Sequence, residues 1–147
     1  NMFLAPKIGK MIGKWGERRA LVFEYAGLFI VFVSYAFVEN HILAGGLYVI
    51  DHLFFALAIA IKTYFQKIAD PADISSTAGV SFTINHIAAV FIPAAFGLLW
   101  LISPGAVFLA GAGMAFVSLV LALNVPHDPE PGNEVLRGYK STAAQPA

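Results

Sequence analysis

The chain has no cysteine among its 147 residues. That excludes disulfide bonds and thiolate metal sites, and says nothing further about redox compartment. Charge is scarce as well: only 12% of the residues are Asp, Glu, Lys or Arg, against about a quarter in a soluble domain. Alternating apolar–polar segments are missing, so half-buried strands have no signature here, and lipid offers no partner to an open sheet edge. Catalytic signatures are missing too. No His-Glu-x-x-His, Gly-x-Ser-x-Gly or Gly-Lys-Ser/Thr sequence occurs, which removes the chemistries those spacings serve. An enzyme is not expected, and neither is a cofactor, a metal or a nucleic-acid partner.

What the chain has instead is apolar length. Hydrophobic residues make up 59% of it, and they fall into the runs Ala20–Val38, Ile42–Ile61, Thr77–Ile102 and Ala106–Leu123. Each approximates the ~20 residues that a helix needs to cross a hydrocarbon core. The cations are segregated. Lys7, Lys10, Lys14, Arg18 and Arg19 precede the first run, Lys62 and Lys67 lie between the second and third, and Arg137 and Lys140 follow the fourth. The other two breaks, Glu39-Asn40-His41 and Ser103-Pro104-Gly105, contain no Lys or Arg. Alternation of this kind is the positive-inside pattern of antiparallel spans with both ends in the cytoplasm. The expected fold is therefore an all-α integral membrane protein, four transmembrane helices in two antiparallel hairpins, multi-pass in a cell inner membrane with the lipid bilayer as its first partner.

Residues 1–19 read as the end of a preceding helix, Asn1-Met2-Phe3-Leu4-Ala5, followed by a basic, glycine-punctuated loop. Opening on a span already under way, the chain is expected to be a fragment. Asp73 followed by Ser75-Ser76-Thr77 offers capping groups for the third helix. Pro126, Pro129, Pro131 and Gly132 stop helix formation, so residues 124–147 are expected to be a flexible cytoplasmic tail. Ala110-Gly111-Ala112-Gly113 and Ala115 in the fourth span allow close helix packing, and Pro93 is expected to kink the third.

Ionisable groups at mid-span cost at least ~2.5–3.5 kcal/mol each on insertion scales and need a reason to be there. Asp51 and His52 sit at the middle of the second run, and Asn85 and His86 lie roughly 13 Å into the third at the helical rise. Helical spacing places Tyr48, Phe55 and Lys62 on the stripe of Asp51, and Ala78, Ser81, Ala88 and Ala89 near Asn85. On antiparallel neighbours the two pairs reach similar depth, where a carboxylate and an imidazole can bind a solute or relay a proton. An interhelical hydrogen bond that fixes packing is the plainer role. Glu24, near the start of the first run, is expected to form an ion pair with Arg18, Arg19 or Lys62.

The basic segment Gly9-Lys10-Met11-Ile12-Gly13-Lys14-Trp15-Gly16-Glu17-Arg18-Arg19 resembles the cytoplasmic loop signature of the major facilitator superfamily. Gly9, Lys14, Gly16 and Arg18 match in register, and Gly13 stands where that signature has an Asp, as in its second copy between the eighth and ninth helices. The third run, with Asn85-His86, Pro93 and Gly97-Leu98-Leu99-Trp100, also looks like the eleventh helix of bacterial permeases in that superfamily. The resemblance implies helices nine to twelve of a twelve-helix transporter. Its tenth helix, here carrying Asp51 and His52, would line the solute cavity, the eleventh would border it, and the ninth and twelfth would be peripheral. It further implies alternating-access movement of a small solute, proton-coupled, with a missing N-terminal half as partner. The alternative is a small structural or assembly subunit of a larger membrane complex.

The topology has a direct check. Single cysteines placed at Asn40 and Ser103 should react with an impermeant thiol reagent in intact cells. Labelling at Lys67 or Lys140 instead would overturn it.

Overall fold

The computed structural model describes residues 5–137 of the chain. It contains helices α1 (Ala5–Trp15), α2 (Glu17–Phe37), α3 (His41–Phe55), α4 (Ile59–Ile68), α5 (Ile74–Ile102) and α6 (Pro104–Leu123), with a 3-10 turn at Ala56–Ala58 joining α3 to α4. Four stretches, α2, α3 through α4, α5 and α6, are long and apolar enough to cross a membrane. No strand occurs among the described residues; the sole β-type pairing there is an isolated bridge between Glu130 and Asn133.

Local chemistry sets the helix ends. Gly16 adopts φ +82° between α1 and α2, a left-handed conformation that suits glycine and ends the first helix. Asn40 caps α3, its side-chain oxygen accepting from the Ile42 N–H at 2.8 Å and the Leu43 N–H at 3.4 Å. Ser103 caps α6 through the Ala106 N–H at 3.3 Å, with Pro104 preset in the first turn. Asp73 occupies the N-cap position of α5 but makes no side-chain capping bond. In the turn before it, the Asp70 carboxylate accepts from the Ala72 N–H at 2.8 Å.

The helices are longer at the basic end of the bundle than the apolar runs alone indicate. There α2 starts at Glu17, the second span continues to Ile68, and α5 starts at Ile74, because polar residues can extend a helix once it leaves an apolar layer. The segment expected to be a basic loop is α1 over most of its length. Ile12, 1% exposed, anchors it in a core shared with Ala20, Leu21, Ala60, Ala122 and Val125. That burial outweighs the weak helix propensity of Gly9 and Gly13. The expected end of a preceding helix at residues 1–4 lies outside the described residues.

The described part of the tail, residues 124–137, is packed against the bundle. Val125, Pro126 and Pro129 are buried. Asn124 and Arg137 clasp each other, the Arg137 N–H donating to Asn124 Oδ1 at 2.7 Å and Asn124 Nδ2 donating to the Arg137 carbonyl at 2.6 Å. The Tyr64 hydroxyl donates to the Glu134 carbonyl at 2.5 Å. Residues 124–137 thus form a strap tied to α4. Proline ended the helix, and buried apolar contacts did the rest. Residues 138–147 lie outside the described residues.

The centre of the bundle is the seam between α2 and α6. Gly111, Ala112 and Ala115 are buried there, and the Phe32 ring lies in van der Waals reach of Gly111. Tyr35 stacks on Phe108 at 4.9 Å and Phe29 packs near Phe116 at 5.8 Å. Helix α3 packs on the other side of α2, with Phe54 seated on Gly27. Helix α5 packs on α6, through contacts such as Trp100 with Phe108 at 5.9 Å, and has no buried residue of its own.

Gly27 is the tightest of these contacts. A methyl group there would occupy the place of the Phe54 ring, whereas one at Gly45 would meet nothing within 4 Å. Gly27→Ala should cost about 1–3 kcal/mol through overpacking and lower the thermal unfolding midpoint in detergent. Gly45→Ala should leave that midpoint unchanged or raise it.

Candidate functional site

Asp51 and His52 occupy the middle of the stretch from His41 to Ile68. The Asp51 side chain is 25% exposed and the His52 side chain 59%, with His52 Nδ1 lying 3.7 Å from Asp51 Oδ2. Closer still is the Tyr48 carbonyl, 3.0 Å from the same nitrogen. A carbonyl only accepts, so Nδ1 carries the hydrogen and Nε2 is the open position of the ring. Tyr48 also packs on the imidazole, at 4.2 Å between ring centres.

His86 repeats this arrangement on α5. Its Nδ1 donates to the Phe82 carbonyl at 2.9 Å, and its ring lies 3.9 Å from that of Phe82. Both imidazoles are therefore held by the backbone and the aromatic ring four residues earlier, with Nε2 turned away from their own helix. An aromatic residue four positions before each His is visible in the sequence and is the signal that marks the device. Asn85 and His86 are both exposed, and Asn85 makes no side-chain hydrogen bond among the described residues.

The two polar pairs are not brought together. Helix α3 packs on α2 and α5 packs on α6, so the α2–α6 seam stands between them. Among the described residues no hydrogen bond or ion pair joins Asp51 or His52 to Asn85 or His86. Hydropathy gives depth along a helix but not position around the bundle, and the small residues of α2 and α6 take the centre. The grooves inside the bundle are also elsewhere. One of about 390 Å³ is lined mainly by apolar residues, including Leu28, Phe32, Phe96 and Met114, and touches none of the four candidates. No cluster of three or more metal-ligating side chains occurs among the described residues.

Of the loop motif, Gly9 and Lys14 lie within α1, Gly16 makes the break and Arg18 lies in the first turn of α2. Gly9 is not at a turn; that conformational role belongs to Gly16 alone.

Two acidic residues matter more than the sequence indicated. Glu17 and Glu24 are each 2% exposed. Glu17 is paired, its Oε1 lying 2.8 Å from Lys67 Nζ across the α2–α4 contact. Glu24 has no ion pair among the described residues, so the pairing expected with Arg18, Arg19 or Lys62 is not formed, and its Oε2 is buried without a hydrogen-bond partner. The signal was their seven-residue spacing, which puts both on the α2 stripe of Ala20, Leu21, Gly27 and Val31.

No protein-family model matches the chain, and no curated protein or solved structure matches it. The geometry stands by itself.

The Glu17–Lys67 pair ties α2 to α4 and can be tested by rescue. Lys67→Met leaves a buried carboxylate unpaired and should destabilise the protein by about 1–3 kcal/mol. Adding Glu17→Gln removes the stranded charge and should restore much of that loss in thermal unfolding. Equal destabilisation in the single and double variants would show that the pair is not the source.

Proposed function

We propose that this chain is the C-terminal part of a secondary active transporter of the major facilitator type, moving a small solute by alternating access with proton coupling. One observation carries the reading: the mid-helix polar groups sit on the two flanking helices and are not buried against the α2–α6 seam. His52 on α3, and Asn85 and His86 on α5, are exposed, and Asp51 beside His52 is half-buried on the α2 side of α3. Left in lipid, such groups are costly. Further helices placed against α3 and α5 would bury them and enclose a polar cavity. The absence of any buried residue on α5 supports the same need for neighbouring spans.

In this reading the protein lies in a cell inner membrane. The basic end, with α1 and the strap, faces the cytoplasm. Asp51 binds the coupling proton or a cationic group of the solute, His52 and His86 offer Nε2 as donor or acceptor, and Asn85 hydrogen-bonds neutral polar groups. The missing N-terminal half supplies the opposite wall. The exposed flanks also fit an assembly subunit of a larger membrane complex, which would co-purify with that complex in fixed ratio and would not transport.

Asp51→Asn in the full-length protein keeps the shape and removes the charge. It should abolish proton-driven accumulation in reconstituted vesicles while leaving solute exchange measurable. Accumulation with the native pH dependence would exclude Asp51 from coupling.

A further inference from the structure

We propose that Glu24 is a proton-binding site, occupied while the seam between α2 and the 3-10 turn with α4 is closed, and emptied when that seam opens. This goes beyond the transporter reading and stands without it, since a subunit of another membrane complex would hold the same proton.

The register of α2 settles what Glu24 faces. One turn before it, Leu21 shares a buried cluster with Ala60 of α4. One turn after it, Gly27 lies against Phe54 of α3. The stretch opposite Glu24 is therefore the apolar 3-10 turn Ala56–Ala58, whose Leu57 is 5% exposed. The carboxyl group is closed in on this side, and among the described residues Oε2 has no hydrogen-bond partner.

Among the described residues no opposite charge is paired with it. Helix α6 contains no titratable residue. On α4, Lys67 is engaged by Glu17, the Tyr64 hydroxyl is engaged by the strap, and Lys62 is exposed. On α1, Lys10 and Lys14 are exposed. On α3, Asp51 is of the same sign as a glutamate and neighbours His52; Tyr48 and His41, both exposed, complete its titratable groups. On α2 itself, Tyr25 follows directly, Glu17 is two turns away, and Arg18, half-buried, and Arg19, exposed, form no ion pair with Glu24 among the described residues; on the strap, His127, Asp128, Glu130 and Arg137 are exposed and Glu134 is half-buried. An unpaired carboxylate in such surroundings is far more costly than a neutral carboxylic acid, so the closed seam favours the protonated form.

Opening reverses that preference. The seam is held at its basic end by the Glu17–Lys67 pair and by the Tyr64 hydrogen bond to the strap. When α4 parts from α2, water reaches Glu24. The O–H bond of the carboxylic acid then breaks, the proton passes to water, and the carboxylate left behind is solvated. Return of α4 requires a proton to be taken up again. Closure of this end and protonation of Glu24 are one coupled equilibrium.

Infrared spectroscopy of the full-length protein in lipid discs reads this directly. At neutral pH the wild type should show the carbonyl band of a protonated carboxylic acid that is lost in Glu24→Gln and retained in Asp51→Asn. Tyr64→Phe, which releases the strap, should shift the disappearance of that band to lower pH. If Glu24→Gln does not fold, Glu24→Asp should move the band in frequency. Ionised carboxylate absorption alone at neutral pH, or a band that survives Glu24→Gln and vanishes in Asp51→Asn, would overturn the proposal. A Glu24 band in a protein that accumulates no solute would uphold this site and end the transporter reading.

Discussion

The close approach of α2 and α6 is the constraint on which the other positions depend. Gly111, Ala112 and Ala115 remove side-chain bulk from one wall, which lets aromatic residues of the other wall fill the seam. In lipid there is little hydrophobic gain in bringing two apolar helices together, so dispersion contacts at short range must hold them. Once α2 and α6 take the centre, α3 and α5 can only flank them. The separation of the two histidine pairs follows from that packing and from nothing in the pairs themselves.

The two ends of the bundle are built differently. At the basic end, Ile12, Leu21, Ala60, Ala122 and Val125 form one small core. The strap adds backbone hydrogen bonds and the Glu17–Lys67 pair adds charge. Five elements, α1, α2, α4, α6 and the strap that follows it, meet there. The opposite end consists of short connections capped by Asn40 and Ser103. Any movement that opens the basic end must therefore break several weak contacts together, whereas the other end offers only short turns as hinges.

Much of the fold was legible in the sequence because lipid-length apolar runs are a coarse and strong signal. All four runs, Val38 apart, reappear within the four apolar stretches of helix, and Asn40 and Ser103 sit where breaks were visible. What was hidden depended on tertiary contact. Glycines made α1 look like a loop until Ile12 found a core to enter. Prolines made the tail look free, although Pro126 and Pro129 are buried. Asp51, His52, Asn85 and His86 were singled out by their position along the apolar runs, but which helices stand beside each other depends on side-chain volume across a seam. Glu24 was visible as a charge in an apolar run, and its nearness to basic residues in sequence hid that none of them pairs with it among the described residues.

Helix α5 is 29 residues long, which is about 43 Å at the helical rise and longer than a hydrocarbon core of about 30 Å. It must tilt or protrude. Its aromatic contact with α6 is near one end, where Trp100 meets Phe108, while His86 stands about 21 Å further along the axis. Trp100 is thus placed to act as a fulcrum, with Pro93 between it and His86. A swing of about ten degrees carries the His86 imidazole through about 4 Å on that arm, more than the length of a hydrogen bond. A small change at the fulcrum can therefore make or break any contact at Nε2.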